Sequence, residues 1–349
     1  MNCKSIKRIS ILLSILFLLL SIGGCVGNNR ATDNIGDRAS KDEPIIIVDH
    51  LGREVEFSKP AEKIVSGYYV TTAMLLSLGL KENIVGLEAK ANTRPIYNIA
   101  APELLDLPSV GTMKEFDIEG AVALEPDLVV ISVRLKEAVE SMEKLGVKVI
   151  AVNPENMDLL NEALTMVAKA TGREENAKKL IDYNNEKTTM IKNLIKDRDK
   201  RDVYLGGNSS FLSTSSNKMY QHTLIETAGG NNVAGDIEDT YWAEISYEQL
   251  IAYNPDVIFV IPGASYSKND IINDDRLKGI KAVENNDIYF MPSNFENWDS
   301  PIPSGVLGTL WLTAVLHDDV YSFDNFKEDV FNYYKEFYGV EINRDDITK

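Results

Sequence analysis

Cysteine and histidine are nearly absent from this chain. Of its 349 residues only Cys3 and Cys25 are cysteine, and only His50, His222 and His317 are histidine. Two cysteines so near the start leave no disulfide framework for the body of the chain, which must rest on a packed core. The histidines lie far apart, without the spacing of a metal-ligand set, so no protein-held metal and no cofactor is expected. Plainer places suit them: His50 in a turn, His222 at a helix start, and His317 at a helix end, where a cation complements the dipole. Positive charge is scarce too. Lys and Arg number 36 against 53 Asp and Glu, a formal charge of −17. Such a surface repels nucleic acid and anionic lipid head groups, so no nucleic-acid partner is expected. A locally basic site for an anionic ligand is compatible with it.

Catalytic signatures are missing as well. "GGNSS" (206–210) has no G-x-S-x-G spacing and no histidine placed to serve a serine. "AGG" (228–230) lacks the dinucleotide fingerprint. The chain therefore reads as a non-enzyme rather than an exported hydrolase.

One long apolar run is present, "ISILLSILFLLLSI" (9–22), preceded by Lys4, Lys7 and Arg8. It is short for a membrane span, which takes about 20 residues. It fits the core of a secretory signal, with an uncleaved membrane anchor as the other reading. Small residues precede Cys25 in "IGGC", which resembles a lipobox with Ile22 where leucine is usual. Residues 1–24 are thus read as a lipoprotein signal peptide, cleaved before Cys25, whose sulfur carries the lipid. Its removal takes three positive charges and no negative ones, so −17 becomes about −20. Residues 25–43 are polar and read as a flexible tether.

Beyond the tether, strand and helix alternate. "IIIVDHLGREVEF" (45–57) has the form of a hairpin. A strand at 64–66 runs into a loop at Gly67, then a helix from near Thr71 to Gly79 and a strand at 84–87. A helix over 118–124 stops before Pro126, because proline disfavours helical geometry in the preceding residue. "DLVVIS" (127–132) is apolar on both faces, as buried parallel strands are. A helix at 136–145 and a strand at 147–152 follow. Ala177, Leu180, Ile181, Ile191, Leu194 and Ile195 recur at helical spacing, which predicts a long amphipathic helix over 174–196. Its position between two α/β halves makes it a connecting spine. The second half repeats the plan, with strands at 202–207, 257–261 and 288–291, a helix within 220–230, and late helices at 307–317 and 326–339. The fold class is α/β: two Rossmann-like lobes with central parallel sheets joined by one long connecting helix. The expected divisions are an N-terminal lobe at 44–153, a connecting helical segment at 154–200 and a C-terminal lobe at 201–349.

The two halves share wording. "IEGAVALEPDLVVI" (118–131) overlies "YEQLIAYNPDVIFV" (247–260), placing Glu119 on Glu248, Ala123 on Ala252, Pro126 on Pro255 and Asp127 on Asp256. In each half a helix with a glutamate near its start leads through a proline into a central strand. Taken with "REVEFSKPAEKIVS" (53–66) and "ETAGGNNVA" (226–234), the chain resembles the periplasmic binding proteins for iron–siderophore, haem and cobalamin, which deliver ligand to ABC importers. The resemblance covers nearly all of 45–338. It implies two lobes on one long helix, a shallow cleft between them, and little hinge closure. It also implies that Glu119 and Glu248, one on the top of each lobe, pair with arginines of a permease. Exposed helix starts favour glutamate in any case, through the macrodipole.

In doubly wound folds ligands meet the loops beyond the carboxyl ends of strands. Those loops carry Tyr68, Tyr69 and Arg94, then Met113, Lys114 and Arg134, then Asn208 and Phe211. Tyr241 and Trp242 precede the second repeat. Asn294, Phe295 and Trp298 follow the last strand, with Asn297 and Asp299 beside them. Aromatic faces suit a large flat ligand, and arginine suits carboxylate, hydroxamate or phosphate oxygens. A chelated metal with an organic shell fits both. Trp298 is favoured as a contact because "SNFENWDSP" is polar around it, whereas Trp311 is read as core. His222 is a weaker candidate to cap a ligand-bound iron.

The expected partners are a metal-chelate ligand (iron–siderophore, haem or cobalamin type), an ABC permease and ATPase complex, and the outer face of the cytoplasmic membrane through lipid on Cys25. The chain is expected to act as a monomer. A small oxyanion such as molybdate or tungstate, or a nickel complex, is the alternative ligand. A sensor lipoprotein is the alternative role.

Overall fold

Period-two alternation along the strands gives both sheets two buried faces. The computed structural model describes residues 44–349; the signal at 1–24, Cys25 and the tether at 25–43 lie outside the described residues. β1 (Ile45–Val48) and β2 (Glu54–Phe57) form the expected hairpin. The first lobe continues with β3 (Ile64–Ser66), α1 (Tyr69–Ser77), β4 (Ile84–Gly86), α2 (Pro95–Ala100), α3 (Ile118–Ala123), β5 (Leu128–Ser132), α4 (Lys136–Lys144) and β6 (Val149–Val152). Then come α5 (Met157–Thr171) and α6 (Glu174–Ile195). The second lobe holds β7 (Arg201–Gly206), β8 (Ser213–Ser215), α7 (Tyr220–Thr227), β9 (Gly230–Asn232), β10 (Trp242–Glu244), α8 (Tyr247–Tyr253) and β11 (Val257–Val260). It ends with α9 (Lys268–Ile272), α10 (Lys281–Glu284), β12 (Ile288–Phe290), α11 (Gly305–Leu316) and α12 (Phe323–Phe337).

Each lobe is built on a four-stranded parallel sheet. The spatial orders are β4-β3-β5-β6 and β9-β7-β11-β12. Both run second, first, third, fourth in the chain order of their own lobe, so the lobes share one topology. In β3, β5 and β6 the residues Ile64, Leu128, Val130, Ile150 and Val152 face one apolar cluster, while Val65, Val129, Ile131, Val149 and Ala151 face another. In β7 and β11, Val203, Leu205, Val257 and Phe259 join the first of these clusters, and Tyr204, Ile258 and Val260 face a third. One cluster therefore spans both lobes and takes in α1, α6, α11 and α12. A shared core of this kind resists hinge opening, since parting the lobes exposes apolar area at about 25 cal/mol per Å².

The 22 residues of α6 span about 33 Å at 1.5 Å per residue. The helix buries Ala177, Leu180 and Ile191. Its buried Asn184 donates from Nδ2 to the Pro303 carbonyl at 3.1 Å. That bond ties the spine to the segment between β12 and α11.

The sequence repeat is a structural repeat. Asp117 caps α3 by accepting from Gly120 N, and Ser246, at the matching position, caps α8 by accepting from Gln249 N. Both helices end on a left-handed residue just before the proline, Glu125 at φ 49° and Asn254 at φ 42°. The aspartates that follow do the same work. Asp127 Oδ2 accepts from Glu62 N and Lys63 N, at the start of β3. Asp256 Oδ2 accepts from Asp202 N at the start of β7. Each Pro-Asp pair thus joins the third strand of its sheet to the first. The bonds from Lys63 and Glu62 hold the Asp127 carboxyl below its usual pKa.

Candidate ligand cleft

In each sheet the chain leaves the first and third strands in opposite directions, which opens a crevice beyond their carboxyl ends. β3 delivers Tyr68 and Tyr69 there, and β5 delivers Ser132 and Arg134. β7 delivers Asn208, and β11 delivers Ile261 and Pro262. All of these line one cavity of about 350 Å³ between the lobes, together with Met113, Tyr241 and Trp242. A second cavity of about 310 Å³ adjoins it and shares Tyr69, Asn208, Pro262 and Asn297. Arg94, Tyr97, Phe295 and Glu296 belong to this second part.

The floor of the cleft is joined across the lobes. Ile96 N donates to the Phe295 carbonyl at 3.1 Å, and Tyr69 Oη donates to Ser300 Oγ at 3.0 Å. Gly67 is required where β3 turns into the site: a Cβ there would lie 2.1 Å from Ile131 Cγ2. The rim is set by β8 and β10, paired antiparallel with Trp242 opposite Ser215. Trp242 is 39% exposed there and Tyr241 46%.

Two arginines reach the cleft. Arg134 pairs with Glu155 at 2.6 Å and lies over the Tyr241 ring of the opposite lobe, 5.2 Å from its centroid. Arg94 lies over the Tyr69 ring at 4.3 Å and has no direct ion-pair partner among the described residues. Behind it, Glu88 accepts from Thr72 Oγ1 at 2.6 Å and Tyr97 Oη at 2.7 Å. Glu296 accepts from Ser304 Oγ, Tyr334 Oη and Tyr338 Oη. Burial raises both glutamate pKa values, and the hydroxyl donors oppose it. Burial also raises Tyr68 and Tyr69, which stay neutral phenols. Asp299, 5% exposed, is pushed up to about 6 by burial. Among the described residues no group of three or more His, Cys, Asp or Glu is arranged to hold a metal ion, and no helix is long and apolar enough to cross a membrane.

Tyr68, Tyr69, Arg94, Met113, Arg134, Asn208, Tyr241, Trp242 and Phe295 come together around the cleft. Four other expected contacts do not. Trp298 is 1% exposed; its ring stacks on Phe295, meets Phe326 edge-on, and donates from Nε1 to Tyr334 Oη at 2.9 Å. The polar neighbours that suggested exposure, Asn297 and Asp299, line the cleft while the indole turns inward. Gly308 of α11 leaves room for that turn, since a Cβ there would lie 2.3 Å from the Trp298 carbonyl oxygen. Phe211 packs edge-on against Tyr204 and Tyr266 and backs the sheet. Asn294 donates to the Asp346 carbonyl, and Lys114 is exposed outside both cavities. His222 lines a separate hollow near the end of α6, where its Nδ1 meets Asn232 Nδ2. His50 and His317 contact backbone, through Asn153 N and the Gly229 carbonyl.

The cleft also uses residues the sequence did not single out. Tyr220 and Gln221 open α7, the helix from which only His222 had been a candidate, and Asn153 and Glu155 follow β6. The rule of looking beyond strand ends would have found Asn153 and Glu155. No sequence signal marked Tyr220 or Gln221. Glu119 and Glu248 are exposed in the first turns of α3 and α8, outside both cavities.

Two parallel-sheet lobes on a common spine, with an aromatic cleft at both switch points, define a solute-binding protein of the extracytoplasmic type. The chain belongs to the periplasmic binding protein family, which matches residues 64–295. A molybdate-binding protein of Haemophilus influenzae is 24% identical over 87% of this chain and 93% of its own length. A petrobactin-binding protein of Bacillus subtilis is 22% identical over 82% of this chain and 92% of its own. The crystal structure of Helicobacter pylori CeuE as a nickel–histidine complex superposes with a TM-score of 0.74 at 21% identity, covering 88% of this chain and all of that one, and shows the same fold.

Proposed function

We propose that this protein captures a metal chelate of siderophore, haem or corrinoid type in the inter-lobe cleft and delivers it to an ABC permease with its ATPase. The observation that carries this reading is the composition of the cleft. Tyr68, Tyr69, Tyr241, Trp242 and Phe295 give it aromatic walls, and Arg94 gives it a guanidinium without an ion-pair partner. Flat aromatic walls hold an organic shell, and the guanidinium holds its oxygens. Relatives named for petrobactin, Fe(3+)-citrate and vitamin B12 support the reading. A small oxyanion is the second reading, favoured by the molybdate-binding relative and by the arginines. On the proposal the mature chain starts at lipidated Cys25, is held on the outer face of the cytoplasmic membrane, and works as a monomer. Glu119 and Glu248 form a two-point key for permease arginines, in which charge at the interface rim sets encounter and orientation.

Titration of the purified protein with ferric chelates, haem, cobalamin and molybdate, read by tryptophan fluorescence and calorimetry, tests the proposal. A chelate binds and quenches, and Arg94→Ala weakens an anionic chelate by about 1.5–3 kcal/mol. Molybdate binding with no chelate binding gives the site to the oxyanion.

A further inference from the structure

Among the described residues, the cleft contains one charged group of each sign without a direct ion-pair partner, Arg94 and Asp299. Five charged side chains line the adjoining cavities: Arg94, Arg134, Glu155, Glu296 and Asp299. Arg134 and Glu155 neutralise each other, and three hydroxyls donate to Glu296. Arg94 lies over the face of Tyr69 and makes no direct ion pair, although Glu88 and Glu296 behind it are near enough to feel its charge. Asp299 has less than its charge requires. Its Oδ2 accepts one long bond from Gln221 Nε2, at 3.3 Å, and its Oδ1 has no hydrogen-bond partner. Tyr69 borders both groups. The Arg94 guanidinium covers its ring, and its hydroxyl bonds Ser300, the neighbour of Asp299.

A buried carboxylate without donors is unfavourable, and ordinary folded proteins satisfy such groups. We propose that Asp299 determines specificity: it accepts a hydrogen bond from an amine or ammonium of a ligand whose anionic part is held by Arg94. The cleft then selects a dipolar organic chelate over a bare oxyanion. This rests on the reading of the cleft as the ligand site. The carboxyl can turn about χ2, a soft torsion, to present either oxygen. An amine entering the larger cavity has only the long Gln221 contact to displace. A molybdate-like dianion brings no donor for Asp299, and places like charge near Asp299, Glu155 and Glu296.

The test uses matched ligands. Calorimetry at pH 7.5 compares a ferric trihydroxamate and a ferric tris-catecholate, each with a free primary amine and with that amine replaced by a methyl group, alongside sodium molybdate. Wild-type protein and Asp299→Asn are both titrated. On a scaffold that binds, the free amine improves wild-type affinity on the order of tenfold or more. Asp299→Asn removes most of that preference, so that the amine and methyl forms bind it within about threefold of each other. Equal wild-type affinity for the two forms overturns the inference while leaving the chelate reading intact. So does an amine preference that survives in Asp299→Asn. If molybdate binds and neither scaffold does, the chelate reading falls and the inference falls with it.

Discussion

Replacing Asp299 with asparagine should stabilise this protein at neutral and alkaline pH. Asp299 is 5% exposed, and burial moves its pKa from 3.8 to about 6. A carboxyl whose pKa is raised by folding favours the folded state in its protonated form. That contribution is complete below the unfolded pKa and is lost as pH rises through the folded one. Between about pH 4 and pH 6, ionisation therefore costs the wild type about 3 kcal/mol, at 1.36 kcal/mol per pKa unit. Asparagine has no charge to desolvate and still accepts from Gln221. Its buried amide protons lack acceptors, which costs about 1–2 kcal/mol. The net expectation is a gain of about 1–2 kcal/mol at pH 8 that disappears or reverses near pH 4. The other charged groups of the cleft are common to both proteins, and the phenols of Tyr69 and Tyr220, raised chiefly by burial, stay neutral in both over this pH range. They largely cancel in the difference. Urea denaturation of both proteins at pH 4, 6 and 8 measures it. A difference that does not change with pH, or an asparagine variant less stable at pH 8, refutes the argument.

Other substitutions separate packing from contact. Trp298→Ala should destabilise the fold by about 3–5 kcal/mol, as removal of a large buried ring does, measured by denaturant unfolding. Of the three tryptophans only Trp242 is exposed at the cleft, so ligand quenching should disappear in Trp242→Phe. Glu119→Lys with Glu248→Lys should leave stability and ligand affinity nearly unchanged, because exposed charges contribute little. Uptake in cells should fail, with each single reversal failing in part; normal uptake by the double variant would leave the repeat as shared lobe architecture alone. Cys25→Ser should release the protein from the membrane fraction or leave it unprocessed, read by fractionation and intact mass.

The order and kind of the elements could be read in the sequence because the signals are local. The apolar runs at 64–66, 128–132 and 257–260 are buried strands, and the spacing from Ala177 to Ile195 marks the spine within a residue of its end. The repeat showed that the second half follows the same plan of elements as the first, while the strand order of each sheet came from the structure. Side-chain direction within loops could not be read in the same way. Trp298 and Asp299 are neighbours, and one enters the core while the other lines the cleft. The turn between them depends on the close approach of α11 at Gly308, a contact made by a helix not yet met in the chain at that point. Phe211 differs from expectation for a related reason. It follows β7 as a ligand residue would, but Tyr204 and Tyr266 enclose it from distant elements. Tyr220 and Gln221 reach the cleft from a helix start, where a rule based on strand ends does not look.

Native mass spectrometry of the protein purified from its own host reads the bound ligand itself. The spectrum should show one metal-bearing organic adduct per chain, lost under mild activation and diminished in Arg94→Ala. A protein that carries only molybdate or another bare oxyanion, or that shows no adduct and binds none of the ferric, haem or corrinoid chelates offered to it afterwards, would contradict the chelate reading.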